Sequence, residues 1–352
     1  MRSWTVVGAQ APLQEVEQPT PEPQGTQVLV EVSHCGVCHS DVHFWEGFLD
    51  LGGPEKTPIS AMGLKPPLTL GHEIVGTVVA LGPEAAGQGV EIGDRRIVFP
   101  WVGCGHCERC LNEEDNLCAQ GAAIGVRQPG GFGSHVLVPH PRHLVDPGGL
   151  DPAVAATYAC SGLTVYSAIR KIMPLPPDKP VVVIGAGGLG LSAIAILKAL
   201  GHRNIICVDV AEAKRQAALE AGAAQAVDGS GEDVAERIKA AAGGPVPAVL
   251  DLVNASSTVK VALGVLARGG RTVQVGMFGG RLDMPLMTFP GQGISICGNF
   301  VGNPRELREV VELARSGRLK PIPVERRPKS EATRTLQELR DGRITGRVVL
   351  EG

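Results

Sequence analysis

The chain has 352 residues, of which 43% are hydrophobic and 20% charged, an ordinary globular composition with enough material for two domains. A formal net charge of −3 gives no electrostatic reason to expect nucleic acid or an anionic membrane as a partner. Glycines and a lysine interrupt the longest apolar stretch, 181–199, and the N-terminus lacks the apolar core of a signal peptide. We therefore expect a cytoplasmic protein that binds neither membrane nor nucleic acid.

The first 150 residues predict an irregular domain built mostly from β-strands. They are rich in glycine and proline, and they contain short β-prone runs at Gln27–Val32, Ile74–Ala80 and Arg96–Phe99. No long helical periodicity occurs in this part of the chain. The first predicted helix is Ala153–Met173, and a proline-rich connector, Pro174–Pro180, follows it.

Strand and helix patterns alternate from residue 181 onwards. The predicted strands are Val181–Ile184, Ile205–Val210, Ala226–Asp228, Ala248–Leu252 and Thr272–Val275. The predicted helices between them include Gly190–Leu200, Glu212–Ala221 and Asp233–Ala242. Such alternation predicts a parallel, doubly wound sheet. The pattern changes in residues 298–352, where helices at Pro304–Ser316 and near Glu331–Leu339 precede a β-like run, Gly346–Leu350.

A glycine-rich turn joins the first of these strands to its helix. Its residues are Gly185, Ala186, Gly187, Gly188, Leu189 and Gly190, and they match G-x-G-x-x-G. Alone, such a pattern can be only a turn. Here Asp209 ends the next predicted strand, near the usual spacing of about 20 residues. Strand, helix and acid together predict a dinucleotide site with the pyrophosphate at the helix N-terminus.

The acid at the end of the second strand favours NAD over NADP. The carboxylate of Asp209 can accept hydrogen bonds from ribose hydroxyls and repels a 2′-phosphate. Val210 and Ala211 follow it, so no arginine is at hand to bind that phosphate. Lys214 either reaches the ribose or is a solvated charge on the next helix, and the sequence leaves both alternatives open.

Four clustered cysteines predict a closed metal site. Cys104, Cys107, Cys110 and Cys118 have the spacing C-x2-C-x2-C-x7-C, which lets one loop wrap a tetrahedral ion. All four positions would be filled, so the site should be structural. Zinc is favoured, a reducing compartment disfavours disulfides, and the spacing does not exclude an iron–sulfur cluster.

A second set of metal-binding residue types is dispersed: Cys38, the pair His72–Glu73, and Cys160. Two thiolates and one imidazole would leave a fourth position open for substrate, as in catalytic zinc sites. No local spacing shows that these residues meet, because lone buried cysteines are usually small apolar residues. The remaining cysteines are expected to be of that kind: Cys35, Cys207 and Cys297.

These motifs resemble the zinc-containing medium-chain alcohol dehydrogenases, most closely their microbial NAD-linked branch. The matching segments are CGVCHSDVH (35–43), GHE (71–73), GCGHCERC with Cys118, CSGLTVYSA (160–168), GAGGLG with Asp209, and VGMF (275–278). The resemblance implies a β-rich GroES-like catalytic domain, residues 1–161 and 298–352. It also implies an inserted Rossmann cofactor domain, residues 162–297. The active site would lie in the cleft between the two domains.

The resemblance also implies roles at the metal. Cys38, His72 and Cys160 would bind a catalytic zinc ion, with Glu73 behind it as an occasional ligand. Asp41 would orient His72 and fix its tautomer. Together with the four-cysteine site, this makes two zinc ions per chain.

Further positions would serve the proton and the cofactor. Ser40 would bond to the alcohol oxygen and begin a proton relay to His43 through the cofactor ribose, although a serine in such a loop can also be a plain turn residue. Four more positions would contact NAD: His39, Thr164, Val275 and Arg347. His39 could instead be a solvated loop residue.

The expected reaction is the interconversion of a primary or secondary alcohol with its aldehyde or ketone. Pocket-side aromatic residues would favour an apolar substrate over a polyol: Trp45, Phe48 and Trp101. Either tryptophan could instead be ordinary core. The segment 48–67 looks longer than in many relatives and is either a lid or a plain surface loop. Gly293–Val301 resembles the subunit-pairing segment of the family, so we expect a homo-oligomer, a tetramer rather than a dimer.

Two rival functions stay open at this point. The first is a zinc-free reductase of the same fold that acts on activated double bonds and would not need Cys38, His72 and Cys160 together. The second is a non-catalytic binding protein on a dehydrogenase scaffold, against which the intact relay residues argue.

Overall fold

A computed structural model describes all residues, 1–352. The strands are β1 (Arg2–Thr5), β2 (Gln14–Glu17), β3 (Val28–Gly36), β4 (Phe48–Leu49), β5 (Thr57–Pro58), β6 (Glu73–Leu81), β7 (Arg95–Val98), β8 (His135–Val138), β9 (Leu144–Val145), β10 (Val181–Ile184), β11 (Ile205–Asp209), β12 (Gln225–Asp228), β13 (Val246–Asp251), β14 (Leu266–Gln274), β15 (Ser295–Gly298), β16 (Val324–Pro328) and β17 (Arg347–Glu351). The α-helices are α1 (His39–Glu46), α2 (Glu108–Leu111), α3 (Pro152–Thr157), α4 (Leu163–Ile172), α5 (Gly188–Ala199), α6 (Glu212–Ala221), α7 (Val234–Ala242), α8 (Ser256–Val265), α9 (Thr288–Gln292), α10 (Pro304–Arg315) and α11 (Ala332–Arg340). No helix combines the length and the hydropathy that a membrane span requires.

A six-stranded sheet forms one half of the molecule, with the order β12-β11-β10-β13-β14-β15. Every neighbouring pair in this sheet is parallel. The chain order reverses between β10 and β13, and doubly wound sheets bind ligands in the crevice at that point. The predicted doubly wound sheet is therefore confirmed.

Helices cover both faces of this sheet. In β10, Val181 and Val183 belong to the core that includes residues of α4, α5 and α10, whereas Val182 and Ile184 belong to the core that includes residues of α7 and α8. A strand buried on both faces needs a continuous apolar run rather than an alternating one. The uninterrupted VVVI sequence therefore explains why β10 lies in the middle of the sheet, covered on both faces.

A mostly antiparallel sheet forms the other half, with the order β16-β17-β3-β6-β7-β9, and β8 also pairs with β3. Strands β16 and β17 come from the C-terminal tail and run parallel to each other. β17 pairs antiparallel with β3, so that Leu350 lies opposite Cys35. The tail therefore completes the sheet that the first part of the chain begins.

Helix α1 lies where the sequence shows no helical periodicity. The Cys38 backbone N–H donates to the side chain of Asp41 (2.9 Å), which caps the first turn. The helix ends at Gly47, whose φ of +85° suits a left-handed C-cap. With eight residues, α1 is too short for a periodic pattern to stand out.

The helix predicted at Ala153–Met173 is divided in the structure. A π-helical turn, Tyr158–Gly162, separates α3 from α4 and carries Cys160. π turns inside helices occur frequently at functional sites, because the extra residue redirects the side chains around it. The turn therefore marks Cys160 as a candidate functional residue.

Candidate metal and cofactor site

Three buried side chains from separate parts of the chain converge. Cys38 precedes α1, His72 precedes β6, and Cys160 lies in the π-helical turn. Their ligand atoms all lie within 4.8 Å of one another. Zinc binds sulfur at about 2.3 Å and imidazole nitrogen at about 2.0–2.1 Å, so one ion fits between these three atoms. The structure thus brings together residues whose meeting no local spacing could show.

Asp41 connects two of these ligands. Its Oδ2 accepts the Cys38 N–H (2.9 Å), and its Oδ1 accepts the Gly71 N–H (3.2 Å). The same Oδ1 lies 3.3 Å from His72 Nδ1, and both side chains are fully buried. A carboxylate in this position orients the imidazole and leaves its other nitrogen free for a metal.

The charges of the three converging groups depend on one another. Burial lowers the pKa of His72, but the charges of Asp41 and Cys38 and their hydrogen bonds to the ring together raise it well above its usual range. A hydrogen bond from Cys160 lowers the pKa of Cys38 well below the usual value. The same hydrogen bond, together with burial, raises the pKa of Cys160. A cation between the two sulfur atoms would favour the thiolate form of both.

Glu73 lies buried beside this cluster. Its Oε1 accepts the Ser161 N–H (3.1 Å) and contacts the Arg347 guanidinium, whereas Oε2 has no hydrogen-bond partner in the protein. A Cβ at Gly36 would lie 2.1 Å from Oε2, so this glycine leaves room for the carboxylate. Burial raises the pKa of Glu73 despite the opposing charge of Arg347. The carboxylate is not among the three converging ligands.

The four-cysteine lobe, residues 104–118, forms a second cluster. The Sγ–Sγ distances are 3.9 Å for Cys104–Cys110, 3.5 Å for Cys107–Cys110 and 3.8 Å for Cys107–Cys118. A tetrahedron with metal–sulfur bonds of about 2.3 Å has edges of about 3.8 Å, so the cluster fits zinc. Backbone N–H groups, first that of His106, lower the pKa of Cys104 to about 6, which favours a thiolate ligand.

A cleft of about 600 Å³ opens at the carboxyl end of the six-stranded sheet. Its walls come from both halves of the molecule and include Cys38 of the metal cluster. Nine of the residues that the sequence predicts for the cofactor line it: His39, Gly185, Gly187, Gly188, Leu189, Gly190, Asp209, Lys214 and Arg347. The other two, Thr164 and Val275, are buried and lie outside the lining.

The glycine turn has the geometry of a dinucleotide loop. Gly185 has a φ of +96°, and a Cβ at Gly190 would lie 2.0 Å from the Gly185 carbonyl oxygen. Both positions therefore require glycine. Asp209 braces the turn, because its Oδ2 accepts the Ala186 N–H (2.8 Å) and its Oδ1 accepts the Ala211 N–H (2.9 Å).

The predicted relay residues lie on α1. Ser40 Oγ is 3.8 Å from Cys38 Sγ, which places the hydroxyl at the edge of the metal cluster. His43 is partly buried, its Nε2 has no protein partner, and burial lowers its pKa below the usual value. The two side chains do not hydrogen-bond directly to each other.

Two cofactor-domain side chains that the sequence did not single out reach this region. Met277 Sδ lies 3.8 Å from Ser40 Oγ. The Phe278 ring stacks on His39, with centroids 5.1 Å apart. Both residues belong to the segment VGMF, which resembles the family, but that motif alone does not show which side chains they contact.

The three predicted pocket aromatics occupy different places. Trp101 is 5.3 Å from the His72 ring, at the metal cluster. Phe48 packs under Lys56 of its own loop, with Nζ 4.1 Å from the ring centroid. Trp45 is only 1% exposed, lies in the core of the β-rich half, and donates its indole N–H to the Ala11 carbonyl (2.7 Å). The structure places Trp45 with the ordinary-core alternative.

Two family models match this chain. One is described as an alcohol dehydrogenase GroES-like domain and matches residues 24–147; the other, a zinc-binding dehydrogenase, matches residues 188–316. The chain is 38% identical to an NAD-dependent alcohol dehydrogenase of Sulfurisphaera tokodaii and 37% identical to one of Saccharolobus solfataricus. Each alignment covers 99% of this chain and 99% of the relative. The alcohol dehydrogenase of Aeropyrum pernix has a TM-score of 0.90 and 30% identity, with 100% of both chains covered.

Fold, clusters and cleft therefore define a zinc-binding dehydrogenase with a GroES-like domain and a Rossmann-type sheet. The chain belongs to the zinc-dependent medium-chain alcohol dehydrogenases, as the motifs predicted. Its activity is that of an NAD-linked alcohol dehydrogenase. The two rival functions, a zinc-free reductase and a binding protein, are not supported.

Proposed function

We propose that the reaction takes place at Cys38, His72 and Cys160, which hold a catalytic zinc ion at the inner end of the cofactor cleft. The observation that carries this proposal is the convergence of three buried ligands where Cys38 also lines that cleft. When bound, zinc supplies Lewis-acid polarisation of a substrate oxygen, and NAD supplies the hydride acceptor. Glu73 stays behind the cluster, where it can become a ligand transiently.

The chain's own residues handle the proton. Ser40 accepts the proton of the alcohol, a role supported by the 3.8 Å between its Oγ and Cys38 Sγ. His43 follows three residues later on α1, on the same side of the helix. Since burial lowers the pKa of His43, the ring is neutral near pH 7 and can take up a proton that leaves Ser40.

The cofactor would lie along the cleft. The glycine turn and Arg347 would hold the phosphates, Asp209 the ribose hydroxyls with Lys214 beside it, and His39 the pyrophosphate. Thr164 and Val275 would border the nicotinamide from their buried positions. Four thiolates of the lobe would hold a second zinc ion, which makes two per chain.

Two substitutions test the metal and proton roles. Ser40→Ala should reduce turnover about 100-fold or more while zinc content and NAD binding stay near wild type. The matched control is Ser330→Ala, in an exposed serine outside the cleft and outside the 48–67 segment. Cys38→Ser should remove activity together with one zinc ion per chain. Wild-type turnover in Ser40→Ala would exclude Ser40 from the relay, and full zinc with full activity in Cys38→Ser would exclude that ligand.

We also propose that the substrate is an apolar primary or secondary alcohol and that the segment 48–67 is a lid. Trp101 supplies an aromatic wall at the cluster. The tip of the segment reaches the cofactor domain: a Cβ at Gly52 would lie 2.5 Å from the Gly280 carbonyl oxygen. Deletion of 52–56 should alter the relative rates across alcohols of different chain length, and an unchanged profile would exclude the lid.

The assembly, the location and the domain limits are proposals of the same kind. A homotetramer is supported by the unpaired edge of β15 and by Leu286 and Met287 nearby, 81% and 74% exposed. Light scattering on purified protein tests this assembly.

A cytoplasmic location suits nine cysteines without a disulfide, and cell fractionation tests it. We place the domain limits at 161/162 and 297/298, which limited proteolysis can test.

A further inference from the structure

The segment 299–302 connects β15 to α10 in an unusual conformation. Val301 has a φ of +44°, a left-handed value that β-branched residues rarely adopt. Asn299 Nδ2 donates to the Thr164 carbonyl (3.1 Å) and to the Val301 carbonyl (2.9 Å). A Cβ at Gly302 would lie 2.5 Å from a side-chain atom of α4. The surroundings therefore hold this segment in one conformation, and such over-determined strain is typical of functional regions.

The four-cysteine lobe holds the same segment from the other side. Asn116 Nδ2 donates to the Phe300 carbonyl (2.9 Å). The Glu113 carboxylate accepts from Arg308 Nη2 (2.5 Å) and from Arg305 Nε (3.3 Å), both on the first turns of α10. A lobe that only stabilised its own loop would need neither contact.

The side chain of Phe300 extends towards the metal cluster. Its ring is 5.8 Å from that of Trp101 in an edge-to-face arrangement, and the Trp101 ring is 5.3 Å from that of His72. Phe300 is 57% exposed, although its backbone is held on both sides. Two aromatic rings therefore form a wall that leads from solvent to the cluster, and the outer ring is exposed in the single chain.

We propose that the four-cysteine lobe helps to set substrate specificity. Phe300 contacts the apolar substituent of the alcohol. Asn116 and Glu113 are positioning residues: Asn116 holds the Phe300 backbone directly, and Glu113 holds the first turns of α10, which follow it. The substrate class is alcohols with an aromatic or branched apolar substituent. This inference rests on the proposed function, because it takes the cluster of Cys38, His72 and Cys160 as the reaction site.

The test uses kcat/KM for benzyl alcohol divided by kcat/KM for ethanol, at saturating NAD, in the zinc-loaded enzyme. The variants are Phe300→Ala, Asn116→Ala and Glu113→Gln. The matched control is Glu114→Gln, the same change in the same lobe, because Glu114 pairs with Arg109 inside the lobe (2.5 Å). Zinc content and molecular mass are measured for every variant.

We expect Phe300→Ala to reduce the ratio about 10-fold or more, because loss of an apolar contact of one methylene or more is worth at least that. Asn116→Ala and Glu113→Gln should reduce it about three-fold or more through a raised KM for benzyl alcohol, with kcat and zinc content unchanged. Glu114→Gln should match wild type.

An unchanged ratio in Phe300→Ala overturns the inference, as does a change in molecular mass without a change in the ratio, which would make Phe300 an interface residue. Equal losses for both alcohols with loss of zinc would assign Glu113 and Asn116 a structural role only. Unchanged ratios in Asn116→Ala and Glu113→Gln, with full zinc content, overturn it as well. If a lobe variant fails to fold, Arg308→Gln removes the partner of Glu113 from outside the lobe and should reduce the ratio in the same way. Wild-type enzyme that oxidises neither alcohol would contradict the proposed function instead.

Discussion

Asp41 offers the sharpest test of how the metal cluster is built. This buried carboxylate accepts two backbone N–H groups, from Cys38 and Gly71, and lies 3.3 Å from His72 Nδ1. Asp41→Asn keeps the shape of the side chain but replaces one oxygen by an NH2 group and removes the charge. The perturbation therefore acts on the ligands' support while leaving all three ligands in place.

Asp41→Asn has two costs, one to folding and one to metal affinity. The new NH2 group would face the backbone N–H of either Cys38 or Gly71, which would lose its acceptor. An unsatisfied buried donor costs about 1–3 kcal/mol. A domain of about 5–15 kcal/mol stability survives that loss. Mutation of a partner that orients a metal-bound histidine lowers metal affinity about 10–100-fold, or about 1.4–2.8 kcal/mol. Asp41→Asn should therefore fold but bind its catalytic zinc one to two orders of magnitude more weakly.

The assay is zinc retained per chain after dialysis against increasing chelator, with residual turnover measured in parallel. The control is Asp233→Asn, since the Asp233 side chain is 70% exposed and pairs with Arg237 in the cofactor half. Activity should be lost at a lower chelator concentration in Asp41→Asn, while the zinc of the four-cysteine lobe remains. If both variants lose zinc at the same concentration as wild type, Asp41 does not support the cluster.

Three further outcomes are expected. Asp209→Gly should lower kcat/KM for NAD and reduce discrimination against NADP about 10-fold, since the carboxylate lines the cleft. Steady-state kinetics with both cofactors measures this preference, and a wild-type preference in the variant would contradict the prediction. Cys104→Ser should remove one zinc ion and lower the melting temperature while ethanol oxidation at 25 °C persists; two retained ions would exclude the site. Lys329, buried against the Val32 and Gly133 carbonyls, has a pKa lowered by burial to about 8. The unfolded chain therefore binds more protons above pH 8, and wild type should gain about 2 kcal/mol over Lys329→Met between pH 8 and pH 10 in urea unfolding; equal pH slopes would refute it.

Local patterns predicted the six-stranded sheet well. Each strand–helix unit is contiguous in sequence, and the glycine turn sits where one strand meets its helix, so periodicity and turn chemistry suffice. Helix α1 was not predicted because it has only eight residues and depends on the cap from Asp41. The π-helical turn was not predicted either, because the residues around Cys160 are all compatible with an ordinary α-helix.

The two metal clusters show the same division. The four-cysteine lobe could be predicted from spacing because one loop supplies every ligand. The other cluster joins a helix start, a strand start and a π turn, so only a family resemblance could connect Cys38, His72 and Cys160. Trp45 shows a similar limit: at 100° per residue it lies on the far side of α1 from Ser40 and His43, a direction that could not be predicted without that helix.

The return of the C-terminal tail has a chemical consequence at the site. Because β17 pairs with β3, its first residue, Arg347, is buried between Glu73 and the start of α5. A Cβ at Gly188 would lie 2.4 Å from the Arg347 Cδ, so glycine there lets the side chain pass. One cation therefore faces both the carboxylate beside the metal cluster and the helix N-terminus where phosphate is expected. A tail folded elsewhere would leave Glu73 buried without its charge partner, so the pairing of β17 with β3 also stabilises the carboxylate beside the metal cluster.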